Sequence, residues 1–155
     1  MSKSEVKKLF RRLEEQYGDT FPYKKGQYEI CETDKDVSLV LFNANASFLL
    51  KKDNVVPALK MFLDKDVRTL PYRVIVDMGA IRFVTNGADI MRPGVVDIGP
   101  GLDTDSFVVI GDERHGKPLA IGTLLFSSDD ILAKESGKVI LNIHFVGDKI
   151  WNLEI

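Results

Sequence analysis

From Gln27 onward the apolar residues of this chain come in short runs, each broken within a few residues by Gly, Pro, Asn or Asp. Runs of four to eight residues rich in Val, Ile, Leu and Phe suit strands and are too short for self-sustaining helices. Residues 27–32, 37–43 and 46–51 read as three such strands, with Asp34-Lys35-Asp36 and Asn43-Ala44-Asn45 as turns between them.

The segment before them has a different period. Ser2 and Glu5 stand at capping-box spacing. Val6, Leu9, Phe10, Leu13 and Tyr17 then recur every three or four residues, and Gly18 is a natural stop. Lys7, Lys8, Arg11 and Arg12 fall on the opposite, solvated face. A second helix is predicted after residue 51, capped by Asp53 or Asn54. Its apolar positions are Val55, Val56, Leu59, Phe62 and Leu63, and Pro57 sits in a first turn that needs no donor. A change of pattern at Leu70-Pro71 divides the 155 residues into domains 1–70 and 71–155.

In the second domain, residues 72–76 form a strand. Asp77 caps a helix whose apolar positions are Ala80, Ile81, Phe83 and Val84. Asn86-Gly87 is a hairpin signal between strands and a left-handed cap after a helix; the helical pattern before it selects the cap. Pro93-Gly94 fits the centre of a type II turn. Strands at 107–110 and 119–126 are joined by the polar loop 112–117. Ser127 or Ser128 then caps a helix with Asp129 and Asp130 in its first turn, Ile131 and Leu132 buried, and Gly137 as its stop. Strands 139–146 and 149–153 flank Gly147-Asp148. About six strands with two short helices make a β-rich barrel, and the whole chain is α+β.

The chemistry-bearing residues are sparse. There are two histidines: His115 lies in a polar loop, and His144 alternates with Ile143 and Phe145, facing solvent or a ligand. Neither has a second His or Cys at metal-binding spacing. No glycine-rich loop fits a nucleotide phosphate, and Asp103 and Asp105 lack the rest of a calcium loop. No catalytic residue, metal or cofactor is therefore assigned, and the chain reads as a non-enzyme. The single Cys31 beside Tyr28 and Ile30 reads as a core thiol. No apolar run approaches the ~20 residues of a membrane span, and no secretory leader is visible; a reducing cytoplasm is expected. The formal charge is −2, and it is uneven: 13 Lys and Arg against 11 Asp and Glu in residues 1–70, then 8 against 12. Any nucleic-acid contact in the second half must rest on a local basic strip and on backbone donors.

Residues 76–95, from Val76-Asp77-Met78-Gly79-Ala80 through Gly87-Ala88 to Arg92-Pro93-Gly94-Val95, resemble the opening of a PUA domain. The resemblance continues through Ala120-Ile121-Gly122, Ser127-Ser128-Asp129-Asp130-Ile131 and Gly137-Lys138-Val139. It ends at Asn142-Ile143-His144-Phe145 and Asp148-Lys149-Ile150-Trp151. With the closing segment and the short helix expected over 56–63 before the domain, the chain is similar to the malignant-T-cell-amplified-sequence branch, its archaeal relatives and the ligatin-type initiation factor. This implies an N-terminal α/β pre-PUA domain followed by a PUA pseudo-barrel. It also implies binding of tRNA or ribosomal RNA, action with the small ribosomal subunit, and an initiation-factor-like protein partner.

In PUA domains RNA lies against the first helix, the strand after it and the last strand, which correspond here to residues 79–87, 88–94 and 149–153. The resemblance implies RNA contact by Arg82, Gly87, Ala88, Arg92, Pro93, Gly94 and Lys149. Small residues at 87 and 88 let a nucleotide approach the backbone, and the guanidinium groups suit phosphate. Gly87 and Pro93-Gly94 serve turn geometry equally well, and Phe145 and Trp151 fit a core role better than stacking. A protein-docking module, motivated by the acidic balance of residues 71–155, and an accessory subunit for an RNA-modifying enzyme are the competing readings.

Overall fold

Ser2 accepts the Glu5 backbone N–H at 3.2 Å through its hydroxyl, and helix α1 (Lys3–Tyr17) follows. Val6, Leu9 and Leu13 are buried as their spacing requires. The structure, a computed structural model, describes residues 1–17, 25–32, 37–51 and 54–148. The expected stop at Gly18, the turn 34–36, the cap at Asp53, Lys149, Trp151 and the strand 149–153 lie outside the described residues. Among the described residues there are two compact units, divided between Ala58 and Leu59.

In the first unit α1 accompanies an antiparallel sheet of β1 (Tyr28–Glu32), β2 (Val37–Phe42), β3 (Asn45–Lys51) and β4 (Asn54–Pro57). Asn43 and Ala44 turn the β2–β3 hairpin with φ of 48° and 67°. Leu39, Val40, Phe48, Leu49 and Val55 are buried, and Phe10 meets Tyr28 and Phe48 edge to face.

The predicted helix around Val55 is instead strand β4, with Val55 and Val56 opposite Leu50 and Leu49. Two consecutive β-branched residues fit a pleated, paired strand better than a helix. Pro57 is tolerated because β4 is an edge strand. The helical part is one 3-10 turn, Leu59–Phe62, and Leu63 is exposed. Cys31 is half-buried rather than a core residue; in β1 it is Tyr28 that turns inward, while Ile30 is exposed.

The second unit holds β5 (Arg73–Val76), α2 (Ile81–Val84), β6 (Ile90–Met91), β7 (Val95–Ile98), β8 (Phe107–Asp112), β9 (Pro118–Leu124), α3 (Ser128–Ala133) and β10 (Lys138–Phe145). Strand β7 is not evident in the sequence pattern. The sheet runs β6-β10-β9-β8-β5-β7, antiparallel except for the β5–β8 pair. Its two edge strands are consecutive in the chain and joined by the short turn Arg92–Gly94, which brings the edges together into a nearly closed pseudo-barrel. β8 is buried along its whole length, as expected of a central strand with a parallel neighbour. Val74, Val76, Val84, Val108, Ile110, Leu124, Ile131, Val139 and Ile140 form the core. Each such side chain contributes about 1.5–3 kcal/mol by leaving water. The architecture is the expected α+β one.

Candidate nucleic-acid interface

The corner between β5 and β6 is built from local caps. Asp77 Oδ1 accepts the Ala80 N–H at 2.9 Å and starts a 3-10 turn, Met78–Ala80, that runs into α2. Four helical residues cannot stabilise themselves, so both ends are tied. At the far end the Gly87 N–H reaches the Val84 carbonyl at 3.0 Å and the Ala88 N–H reaches the Phe83 carbonyl at 3.0 Å. This pair of bonds is a Schellman cap, and Gly87 supplies its left-handed residue with φ of 89°. The cap reading of Asn86-Gly87 holds.

A longer-range clamp fixes the same turn. Asn142 on β10 donates its side-chain amide to the carbonyls of Val84 at 2.9 Å and Ala88 at 3.1 Å. Its backbone N–H goes to Asp89 Oδ1, whose other oxygen meets Lys138 at 3.0 Å. Burial alone would raise the Asp89 carboxyl pKa; the Asn142 N–H and Lys138 outweigh it and hold it below the ordinary range. Gly87 also packs closely. A Cβ on it would stand 2.8 Å from the Phe145 ring, so the absent side chain serves packing inside the protein. Phe145 in turn leans on the core.

The expected site residues divide accordingly. Ala88 and Pro93 are exposed. Gly94 is half-buried, and its carbonyl accepts the Asp77 N–H at 3.0 Å. Arg92–Gly94 is a 3-10 turn closed by Val95 N–H to the Arg92 carbonyl, and Gly94 has no positive φ, so the type II turn is corrected. Arg92 points inward: its Nε donates to the Ile131 carbonyl at 2.8 Å and its Nη1 to the Val95 carbonyl at 3.1 Å. Arg82 is exposed, with its guanidinium 5.0 Å from the centre of the Phe83 ring and no hydrogen bond or ion pair to any described residue.

Three side chains face differently from expectation. Phe83, expected inside, is 53% exposed. On so short a helix Val84 is the residue that fills the core, and the adjacent position is left outside. Leu132 on α3 is exposed for the same reason, with Ile131 beside it fully buried. His144, expected to face solvent or a ligand, is 1% exposed and bound through Nδ1 to Asp148 at 2.8 Å. Phe83 is an exposed aromatic at this corner that sequence reasoning did not single out; its place beside a cation and before a glycine cap was the available signal.

Among the described residues no group of three or more His, Cys, Asp or Glu could hold a metal ion, and no helix is long and apolar enough to cross a membrane.

The PUA-domain profile matches residues 72–146. An uncharacterized protein of Methanocaldococcus jannaschii is 40% identical, over 99% of this chain and 94% of its own length. Translation machinery-associated protein 20 of Eremothecium gossypii is 35% identical, over 99% of this chain and 86% of its own. The crystal structure of a hypothetical protein from Pyrococcus horikoshii superposes with a TM-score of 0.87 at 35% identity, over 97% of this chain and 95% of that one. The chain belongs to the family of PUA-domain proteins that includes translation machinery-associated protein 20 and malignant T-cell-amplified sequence 1.

Proposed function

We propose that this protein is an RNA-binding adaptor of the translation machinery, which contacts tRNA or small-subunit ribosomal RNA during initiation or recycling and catalyses no reaction itself. Membership of the PUA family and relatives named for the translation machinery support the RNA and translation parts of this reading. The observation that carries the site is Arg82, an exposed guanidinium with no acidic or carbonyl partner among the described residues. The other cations beside this corner are engaged: Arg92 with two carbonyls and Lys138 with Asp89. An uncommitted guanidinium on a rigid corner suits a phosphate oxygen, which it can bind through two parallel N–H groups.

The contact surface proposed is Arg82 with the exposed Ala88 and Pro93, joined by Lys149 from the segment after β10. Gly87, Arg92 and Gly94 take part by shaping the backbone beneath it. The cytoplasm, the small ribosomal subunit and an initiation-factor-like protein are the setting and partners this reading implies.

Fluorescence anisotropy with labelled tRNA and small-subunit rRNA fragments, titrated at several salt concentrations, tests it. Arg82→Gln is expected to keep the fold, weaken binding and reduce the slope of log K against log salt by about 0.7–0.9, one phosphate contact. An unchanged affinity and slope would remove Arg82 from the interface.

A further inference from the structure

We infer that the exposed Phe83 ring is a stacking platform for one unpaired base, so that the RNA taken at this corner is single-stranded or looped there rather than continuous duplex. The inference rests on the RNA-binding reading of the site and names the class of RNA it selects.

A lone exposed aromatic residue is common and by itself means nothing. Here several observations meet on one strip. Arg82 and Phe83 lie on α2, with exposed Gly79 in the 3-10 turn before it and exposed Asn86 in the turn after it. Phe83 is 53% exposed although it sits next to Val84, which is 2% exposed. The Arg82 guanidinium lies 5.0 Å from the ring centre, a cation–π contact, and no other described residue engages it. Asn86 is exposed, and its side-chain amide makes no hydrogen bond to any described residue. Position 79, one turn earlier, is an exposed glycine; a Cβ there would meet Asp77 Oδ1 at 3.4 Å and nothing else within 4 Å, so it adds no side chain beside the ring. The strip is also rigid, because the Asp77 cap, the Gly87 cap and the Asn142 clamp fix both ends of α2. An aromatic face, a free cation and a free amide on a fixed backbone match the three parts of an unstacked nucleotide: base face, phosphate and base edge. The faces of bases inside an A-form duplex are occupied by their neighbours and offer nothing to such a ring. Charge favours RNA over an apolar protein partner, since the cation beside the ring lacks an acidic counterpart among the described residues.

The test measures binding of the full chain to three RNA probes of equal length: an unstructured single strand, a blunt duplex, and the single strand with an abasic nucleotide scanned along it. Wild type is expected to prefer the single strand over the duplex and to lose affinity when the abasic nucleotide reaches the stacking position. Phe83→Ala is expected to weaken single-strand binding by about 10- to 100-fold, with an unchanged salt slope because no phosphate contact is removed. In that variant the abasic scan should show no sensitive position. Phe83→Trp should keep the affinity, and Phe83→Leu, which keeps apolar bulk without an aromatic face, should lower it. Circular dichroism verifies that each variant is folded. Single-strand binding unaffected by Phe83→Ala and Phe83→Leu would overturn the stacking inference and leave the RNA-binding reading intact. Absence of binding to any probe, tRNA and rRNA fragments included, would overturn both.

Discussion

Arg92 donates its Nε–H to the carbonyl oxygen of Ile131 at 2.8 Å, so a residue of the β6–β7 turn closes the C-terminal end of α3. The last carbonyls of a helix have no partner within it, and a cation near them is favourable. The second bond, from Nη1 to the Val95 carbonyl, ties the same fork to the start of β7.

Arg92→Ala is therefore expected to destabilise the fold by about 2 kcal/mol. Arg92→Lys should recover less than half of this, since an ammonium on a flexible stem cannot reach both carbonyls in fork geometry. Arg82→Ala, by contrast, should change stability by less than about 0.5 kcal/mol. Urea denaturation of the three variants separates the roles; equal stabilities for Arg82→Ala and Arg92→Ala would contradict the inward role of Arg92.

Gly87 meets two demands, a φ of 89° and the Phe145 ring 2.8 Å from where a Cβ would stand. The left-handed conformation costs a non-glycine residue about 1–2 kcal/mol, and the contact adds to it. Gly87→Ala should thus cost more in the wild-type background than in Phe145→Ala, where only the dihedral cost remains. A double-mutant cycle from thermal or urea unfolding reads this coupling directly. Strict additivity would show that the ring does not press on position 87.

Asp112 is 3% exposed at the end of β8 and accepts N–H groups from Arg114 at 2.9 Å, His115 at 2.6 Å and Lys117 at 3.0 Å. Burial alone would raise its pKa; the His115, Lys117 and Arg114 donors outweigh that and lower it. A carboxyl with a lowered folded-state pKa takes up its proton at a higher pH in the unfolded chain. Its contribution to stability is present above about pH 4 and is lost as pH falls through the folded value. Asp89, also lowered, acts in the same direction. Wild-type stability is expected to drop below about pH 4, and Asp112→Asn should be less stable at neutral pH with a shallower acid slope. Parallel pH profiles for the two proteins would exclude Asp112 as a source of that slope.

Much of the fold was legible because its determinants are local. The Ser2, Asp77 and Ser127 caps each bond a backbone N–H three residues ahead, and the Gly87 cap closes within five residues of Phe83. Such contacts are decided by residue type and spacing alone. The β8–β9 and β2–β3 hairpins are similarly written in apolar runs around polar turns. Val55 and Val56 form a strand where a helix is expected because a short apolar run fits either period, and the free edge of β3 selects the strand.

The facing of the site residues was not written locally. Arg82 and Arg92 look equivalent in the sequence, yet the carbonyl that captures Arg92 lies 39 residues away, and the amide that clamps the Gly87 turn lies 58 residues from Val84. The sequence by itself determined the helix caps, the two long hairpins and the family. Tertiary structure decided which guanidinium stays free, that Phe83 faces outward and that His144 is buried. The physical reason is range: capping satisfies backbone groups within a turn, whereas exposure depends on which distant surface arrives to cover a side chain.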